Sequence, residues 1–161
     1  MPTSADSPQL FLLGSSHRTA PLEVRESFAL DSCMARSLYL KLRESGSLSE
    51  CLVLNTCNRV EIYGVGNNGQ TREALEKSLC ETDGFDAKAF LKHGQWLTGE
   101  AVVQHAFEVA AGLDSQMLGE TEILGQVKGS YADATELKAT GPVLNRVFQK
   151  SFQAAKWART N

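Results

Sequence analysis

The strongest constraint on this chain's fold is a pair of short apolar runs, Cys51-Leu52-Val53-Leu54 and Val60-Glu61-Ile62-Tyr63, separated by Asn55-Thr56-Cys57-Asn58-Arg59. Short runs rich in Val, Ile, Leu and Tyr, the second alternating apolar with polar, read as strands. They are placed at roughly 51–56 and 60–65, which puts Cys57 at the end of a strand. Side chains at strand ends meet solvent, and the Arg59 guanidinium nearby favours the thiolate, the form of cysteine that acts as a nucleophile. The competing reading is a small buried hydrophobe, which is what most free cysteines are.

The flanking sequence extends this pair into a sheet with helices. Leu10-Phe11-Leu12-Leu13-Gly14 is a first strand, broken by Ser15 to Pro21, and Pro21 suits the start of a short helix from Leu22 to Phe28. Asp31 or Ser32 caps the next helix, on which Met34, Leu38 and Leu42 share a face and which Gly46 ends. After a Gly/Asn loop at 64–69, Thr71 caps a helix bearing Ala74, Leu75, Ser78 and Leu79, and a short strand fits between Phe90 and Leu97. The order β-α-β-β-α-β predicts an α+β fold: a ferredoxin-like split βαβ antiparallel sheet with helices on one face.

From Thr98 onward the pattern is wholly helical. Thr98 is the expected cap of a helix bearing Val102, Val103, Ala106, Phe107 and Ala110 and closed by Gly112. Ile123, Val127, Tyr131 and Ala134 mark a second helix. Gly141-Pro142 opens a third, with Leu144, Val147, Phe148, Phe152 and Ala155 inward. The predicted organisation is a loose tail, 1–9, and one domain, 10–161, made of an α/β subdomain 10–97 and a helical subdomain 98–161. The last helical pattern still runs at Arg159, as expected of a piece of a longer protein.

Composition excludes several classes. No apolar stretch approaches the roughly 20 residues needed to span a bilayer, and the polar N-terminus lacks the basic and apolar regions of a signal peptide. A cytoplasmic protein with reduced thiols is therefore expected. The four cysteines form no Cys-x-x-Cys pair and the three histidines are scattered, so no metal site is predicted. The net charge of -3 does not advertise a nucleic-acid binder, yet Lys138, Arg146, Lys150, Lys156 and Arg159 leave the segment from Leu137 onward basic and without Asp or Glu. Such a segment contacts phosphate or forms a solvated helix face.

Two further features could carry chemistry. His105 lies on the first of the late helices, where it is either structural or a general base for a nucleophilic cysteine. The stretch Leu113 to Lys128 interleaves Ser, Gln, Glu and Thr with apolar residues, as a pocket wall or a polar turn between helix ends would. No Walker-type loop is present, and the glycines at 64, 66 and 69 are read as part of a loop between a strand and a helix.

Three stretches together resemble the glutamyl-tRNA reductase family: Gly14-Ser15-Ser16-His17-Arg18-Thr19-Ala20-Pro21, Asn55 to Tyr63, and Gly112-Leu113-Asp114-Ser115 with Gly119-Glu120-Thr121-Glu122-Ile123-Leu124-Gly125-Gln126-Val127-Lys128. Phe148-Gln149-Lys150-Ser151-Phe152 with Ala155-Lys156 fits as well, so the likeness covers nearly the whole chain. The resemblance implies that Cys57 attacks the ester joining glutamate to tRNA and forms a glutamyl thioester. NADPH then reduces the thioester to glutamate-1-semialdehyde for tetrapyrrole (heme) biosynthesis.

By the same match His105 is a second catalytic residue, and Thr56, Asn58, Arg59, Ser115, Glu120, Thr121, Glu122 and Gln126 hold the glutamyl group. Arg59 is suited to a carboxylate by bidentate pairing. Arg18 stands where lysine is frequent, Asn55 replaces a common serine, and Thr121-Glu122 is one of several variants. None of these removes a catalytic group. In the family, NADPH binds a separate Rossmann domain and a further helical domain makes a homodimer, so no cofactor-binding residue is expected here. Implied partners are glutamyl-tRNA and the glutamate-1-semialdehyde aminomutase. The alternatives are a cysteine/histidine esterase built on Cys57 and His105, and a non-catalytic tRNA- or partner-binding module using the basic last helix.

Overall fold

The computed structural model describes residues 8–27, 30–56, 58–66, 71–113 and 122–160. Its strands are β1 (Gln9–Ser16), β2 (Leu48–Thr56), β3 (Arg59–Gly66) and β4 (Gln95–Thr98). Its helices are α1 (Leu22–Ser27), α2 (Ser32–Ser45), α3 (Thr71–Cys80), α4 (Ala87–His93), α5 (Glu100–Ala110), α6 (Glu122–Glu136) and α7 (Pro142–Thr160). The sheet order is β2-β3-β1-β4 with every neighbouring pair antiparallel, which is the expected split βαβ arrangement. The strands run further than their apolar runs suggest, because polar residues at both ends continue the ladders out to Thr56↔Arg59, Ser16↔Arg59 and Leu48↔Gly66.

Every residue of β3 is buried, so both sheet faces are covered. Residues directly opposite in a ladder share a face. Leu12, Leu52 and Tyr63 therefore lie on one side, and Leu13, Val53 and Ile62 on the other. Helices between the strands cover the second side: Arg72 of α3 lies 5.0 Å from the centre of the Trp96 ring, opposite Leu13. The late helices cover the first side, with Phe148 of α7 edge-on to Tyr63 at 5.0 Å. The split βαβ helices thus occupy one face, and the helical segment after β4 roofs the other. The largest fully buried side chains, among them Phe11, Tyr63, Phe90 and Phe148, form one core through the sheet.

Local end signals decide several boundaries. Asp31 accepts from Met34 N at 2.8 Å, and Gly46 (φ 68°) and Gly112 (φ 80°) supply the left-handed residue after α2 and α5. Thr98 is not a helix cap. It ends β4 opposite Phe11, and Gly99 precedes α5 without a side-chain cap, because the ladder to β1 claims Thr98 first. The 87–93 segment forms α4, capped by Asp86 accepting from Ala89 N at 3.1 Å, before the chain turns into β4. Seven helical residues hold too few turns for a visible 3.6-residue period.

The start of α7 is held from a distance. Glu50 of β2 accepts from Gly141 N and Leu144 N at 2.8 Å and from Val143 N at 3.1 Å. A Cβ on Gly141 would come within 2.9 Å of Glu50 Cδ, so glycine gives the carboxylate its approach. The outer edge of β2 is also engaged, its Cys51 N donating to Ala139 O at 2.9 Å and its Val53 N to the Tyr39 hydroxyl at 2.6 Å.

Candidate active site at the β2–β3 turn

Arg59, Glu61 and Tyr63 alternate along β3 and project to the face roofed by α5 and α7. All three are buried, with Arg59 and Glu61 each 3% exposed. Two charges so far from water persist only with close partners. Glu61 Oε2 lies 3.3 Å from Arg59 Nη1 and 2.5 Å from His105 Nε2, while Glu61 Oε1 accepts from the Tyr63 hydroxyl at 2.9 Å. Burial is the largest influence on this carboxyl and acts to raise its pKa. The His105 hydrogen bond and charge, the Arg59 charge and the Tyr63 hydroxyl act the other way and prevail, so Glu61 is held below the usual value.

Gly14 of β1, paired with Glu61, makes that placement possible. A Cβ there would stand 2.8 Å from Glu61 Cγ. Beside the group lies a cavity of about 240 Å³ lined by His105, Glu61, Gly14, Arg18, Ser16 and Gln95, among others. Its wall is fixed by a hydroxyl turn: Thr19 Oγ1 accepts from Ser16 N at 3.0 Å, and Ser16 Oγ accepts from Arg18 N at 3.2 Å.

The turn itself is anchored at Asn58. Its backbone oxygen accepts from His17 N at 3.1 Å, its amide donates to Thr56 Oγ1 at 3.3 Å, and its side-chain oxygen accepts from Arg25 Nη1 at 3.0 Å. The structure thus joins Thr56 with Asn58, and Arg59 with His105 through Glu61. Glu122 and Gln126 stand exposed on α6, hydrogen-bonded to neither group. Cys57, Ser115, Glu120 and Thr121 lie outside the described residues.

Sequence reasoning passed over Glu61, Tyr63 and Arg25 as site residues. For Glu61 a signal existed: a carboxylate with the parity of Arg59 and Tyr63 in a strand otherwise apolar. Arg25, on the six-residue α1, carried none. Among the described residues no cluster of His, Cys, Asp and Glu could hold a metal ion, and no helix is long and apolar enough to cross a membrane.

A family model described as the N-terminal domain of glutamyl-tRNA(Glu) reductase matches residues 13–161. The chain belongs to the glutamyl-tRNA reductase family. It is 42% identical over 146 residues to the glutamyl-tRNA reductase of Rubrobacter xylanophilus, covering 91% of this chain and 34% of that protein. With that of Geobacillus thermodenitrificans it shares 40% over 153 residues, 94% of this chain and 34% of the relative. The solved glutamyl-tRNA reductase of Methanopyrus kandleri superposes with a TM-score of 0.77 at 31% identity, over 97% of this chain and 35% of that one. The chain therefore corresponds to the family's N-terminal domain and spans about a third of these relatives' length.

Proposed function

We propose that this domain binds the glutamyl end of glutamyl-tRNA and that Cys57 takes the glutamyl group as a thioester. The Cys57 sulfur attacks the ester carbonyl, the carbon–sulfur bond forms, and the bond to the terminal ribose oxygen breaks. The thiol proton passes through His105 to that oxygen, so thiol and ester become thioester and alcohol. A thioester is the better acceptor for the hydride that follows. Supporting this reading is the Arg59–Glu61–His105 group. It brings a histidine 44 positions away in sequence to a strand that begins two residues after the cysteine. Residues on a strand rise about 3.3 Å each, so Glu61 stands within about 14 Å of position 57 along the chain.

Thr56, Asn58, Arg59, Ser115, Glu120, Thr121, Glu122 and Gln126 hold the glutamyl group in this reading. The described residues do not fit NADPH. Its sheet is antiparallel throughout and so lacks the parallel βαβ crevice that takes dinucleotides. Its glycine most enclosed by the site, Gly14, makes room for Glu61 rather than a phosphate. We assign reduction to the semialdehyde, dimerisation and hand-over to the aminomutase to the two thirds of the relatives' length outside this match, and place the pathway, tetrapyrrole synthesis, in the cytoplasm.

The test is intact-protein mass measurement after acid quench of the chain incubated with glutamyl-tRNA. One glutamyl adduct is expected, released by hydroxylamine and absent in Cys57→Ser. An adduct that survives in Cys57→Ser, or none in the wild type, refutes the assignment. Unchanged tRNA binding without an adduct would favour the non-catalytic binding module.

A further inference from the structure

We infer that Glu61 is the positioning residue for His105, accepting the Nε2 proton and thereby committing Nδ1 to be the nitrogen that exchanges a proton with the reacting thiol and ester. The inference rests on the thioester reading for where that proton goes, and on geometry for how His105 is set.

Three observations carry it. Glu61 is buried with its two oxygens already shared among His105, Tyr63 and Arg59. It is held ionised by those partners, and an ionised carboxylate can only accept hydrogen bonds. The 2.5 Å contact therefore requires a proton on Nε2 whether the imidazole is charged or neutral, and in the neutral ring Nε2–H leaves Nδ1 as the acceptor. Third, room for this carboxylate is built into the sheet, because at Gly14 any side chain would collide with Glu61. A buried ion pair serving the fold alone would not need its carboxylate aimed at a histidine that lines a polar cavity.

Other charged groups face the same place. Arg59 and Tyr63 contact the carboxylate from β3, Arg18 lines the cavity from the β1–α1 turn, and Glu108 on α5 is half-buried and bonded to Gln104. None of these accepts from Nε2. Among the described residues Glu61 is the acceptor on Nε2, while Arg59 and Tyr63 set where Glu61 sits. Glu61 touches no reacting atom in this scheme and acts only through His105.

The test combines a spectroscopic and a kinetic reading on the 161-residue chain. With ¹⁵N-labelled histidine, neutral His105 is expected to appear as the Nε2–H tautomer in the wild type and to lose that preference in Glu61→Gln. Acylation by glutamyl-tRNA should slow about 10- to 100-fold in Glu61→Gln, as when carboxylates that orient metal-bound histidines are removed, with the substrate concentration for half-maximal rate little changed. In a His105→Asn background the same change should have almost no further effect. Should Glu61→Gln fail to fold, Gly14→Ala, which displaces the carboxylate without removing its charge, takes its place beside the wild-type tautomer. An Nδ1–H tautomer in the wild type, or rate losses that multiply in the double variant, overturns the inference. Absence of any adduct in the wild type refutes instead the thioester reading, and with it the proton's destination.

Discussion

Cys51 sits on β2 with 6% of its surface exposed, and burial pushes its thiol up to about 12. At neutral pH it is protonated and packed among apolar side chains, the inert state of a structural cysteine. Cys33 and Cys80 stand exposed on α2 and α3. Iodoacetamide at neutral pH should therefore label Cys33 and Cys80 in the folded chain and reach Cys51 only after denaturant is added. Labelling of Cys51 at the pace of Cys33 would show that β2 opens readily, and would remove the reason for expecting Cys57→Ser to be devoid of adduct. The same scale shows what a sequence conceals. All four cysteines look alike as letters, and Cys57 stands out only by its motif. Glu61 was legible as a strand residue but not as a site residue, because its meaning depends on His105, which no local pattern could bring to it.

The element scale divides in the same way. Ends set by neighbours a few residues off were readable: Asp31, Gly46 and Gly112 all stand where their residue types predict. Ends set across the fold were not. Thr98 lost its capping role to a strand partner, and α7 draws its cap from Glu50, 91 positions before Gly141. Helix N-termini leave up to four amide donors unpaired, and a carboxylate there also meets the positive end of the helix dipole. Glu50 answers three of those amides with its two oxygens while itself 6% exposed. Glu50→Ala should lower stability by roughly 1–3 kcal/mol, as losing a buried charge-assisted cap does, measured by urea unfolding. Because α7 holds Phe148 against Tyr63, and Tyr63 donates to Glu61, acylation should slow in the same variant. Unchanged urea stability would mean that the α7 packing face, not the cap, fixes this helix.

At the scale of the whole molecule, one sheet with two covered faces divides the labour. The helices between strands close one side into plain core. On the other side α5 and α7 lie over the row Arg59, Glu61, Tyr63, so the buried Glu61 carboxylate and its half-buried partner His105 sit beneath the later helical segment. Among the described residues the strands are antiparallel throughout, so the parallel βαβ crevice that takes dinucleotides is not formed by this sheet. The two halves of the family's reaction should then separate. Incubated with glutamyl-tRNA, this 161-residue polypeptide should accumulate the Cys57 adduct to the same level with or without NADPH. No semialdehyde should be trapped by an aldehyde reagent, and the adduct should disappear only by slow hydrolysis. NADPH-dependent loss of the adduct with release of aldehyde would show that these residues do bind and orient the nucleotide, and would overturn the division of labour drawn from the sheet. Equal adduct with and without NADPH would place the hydride donor's site in the portion of the relatives that this chain does not span.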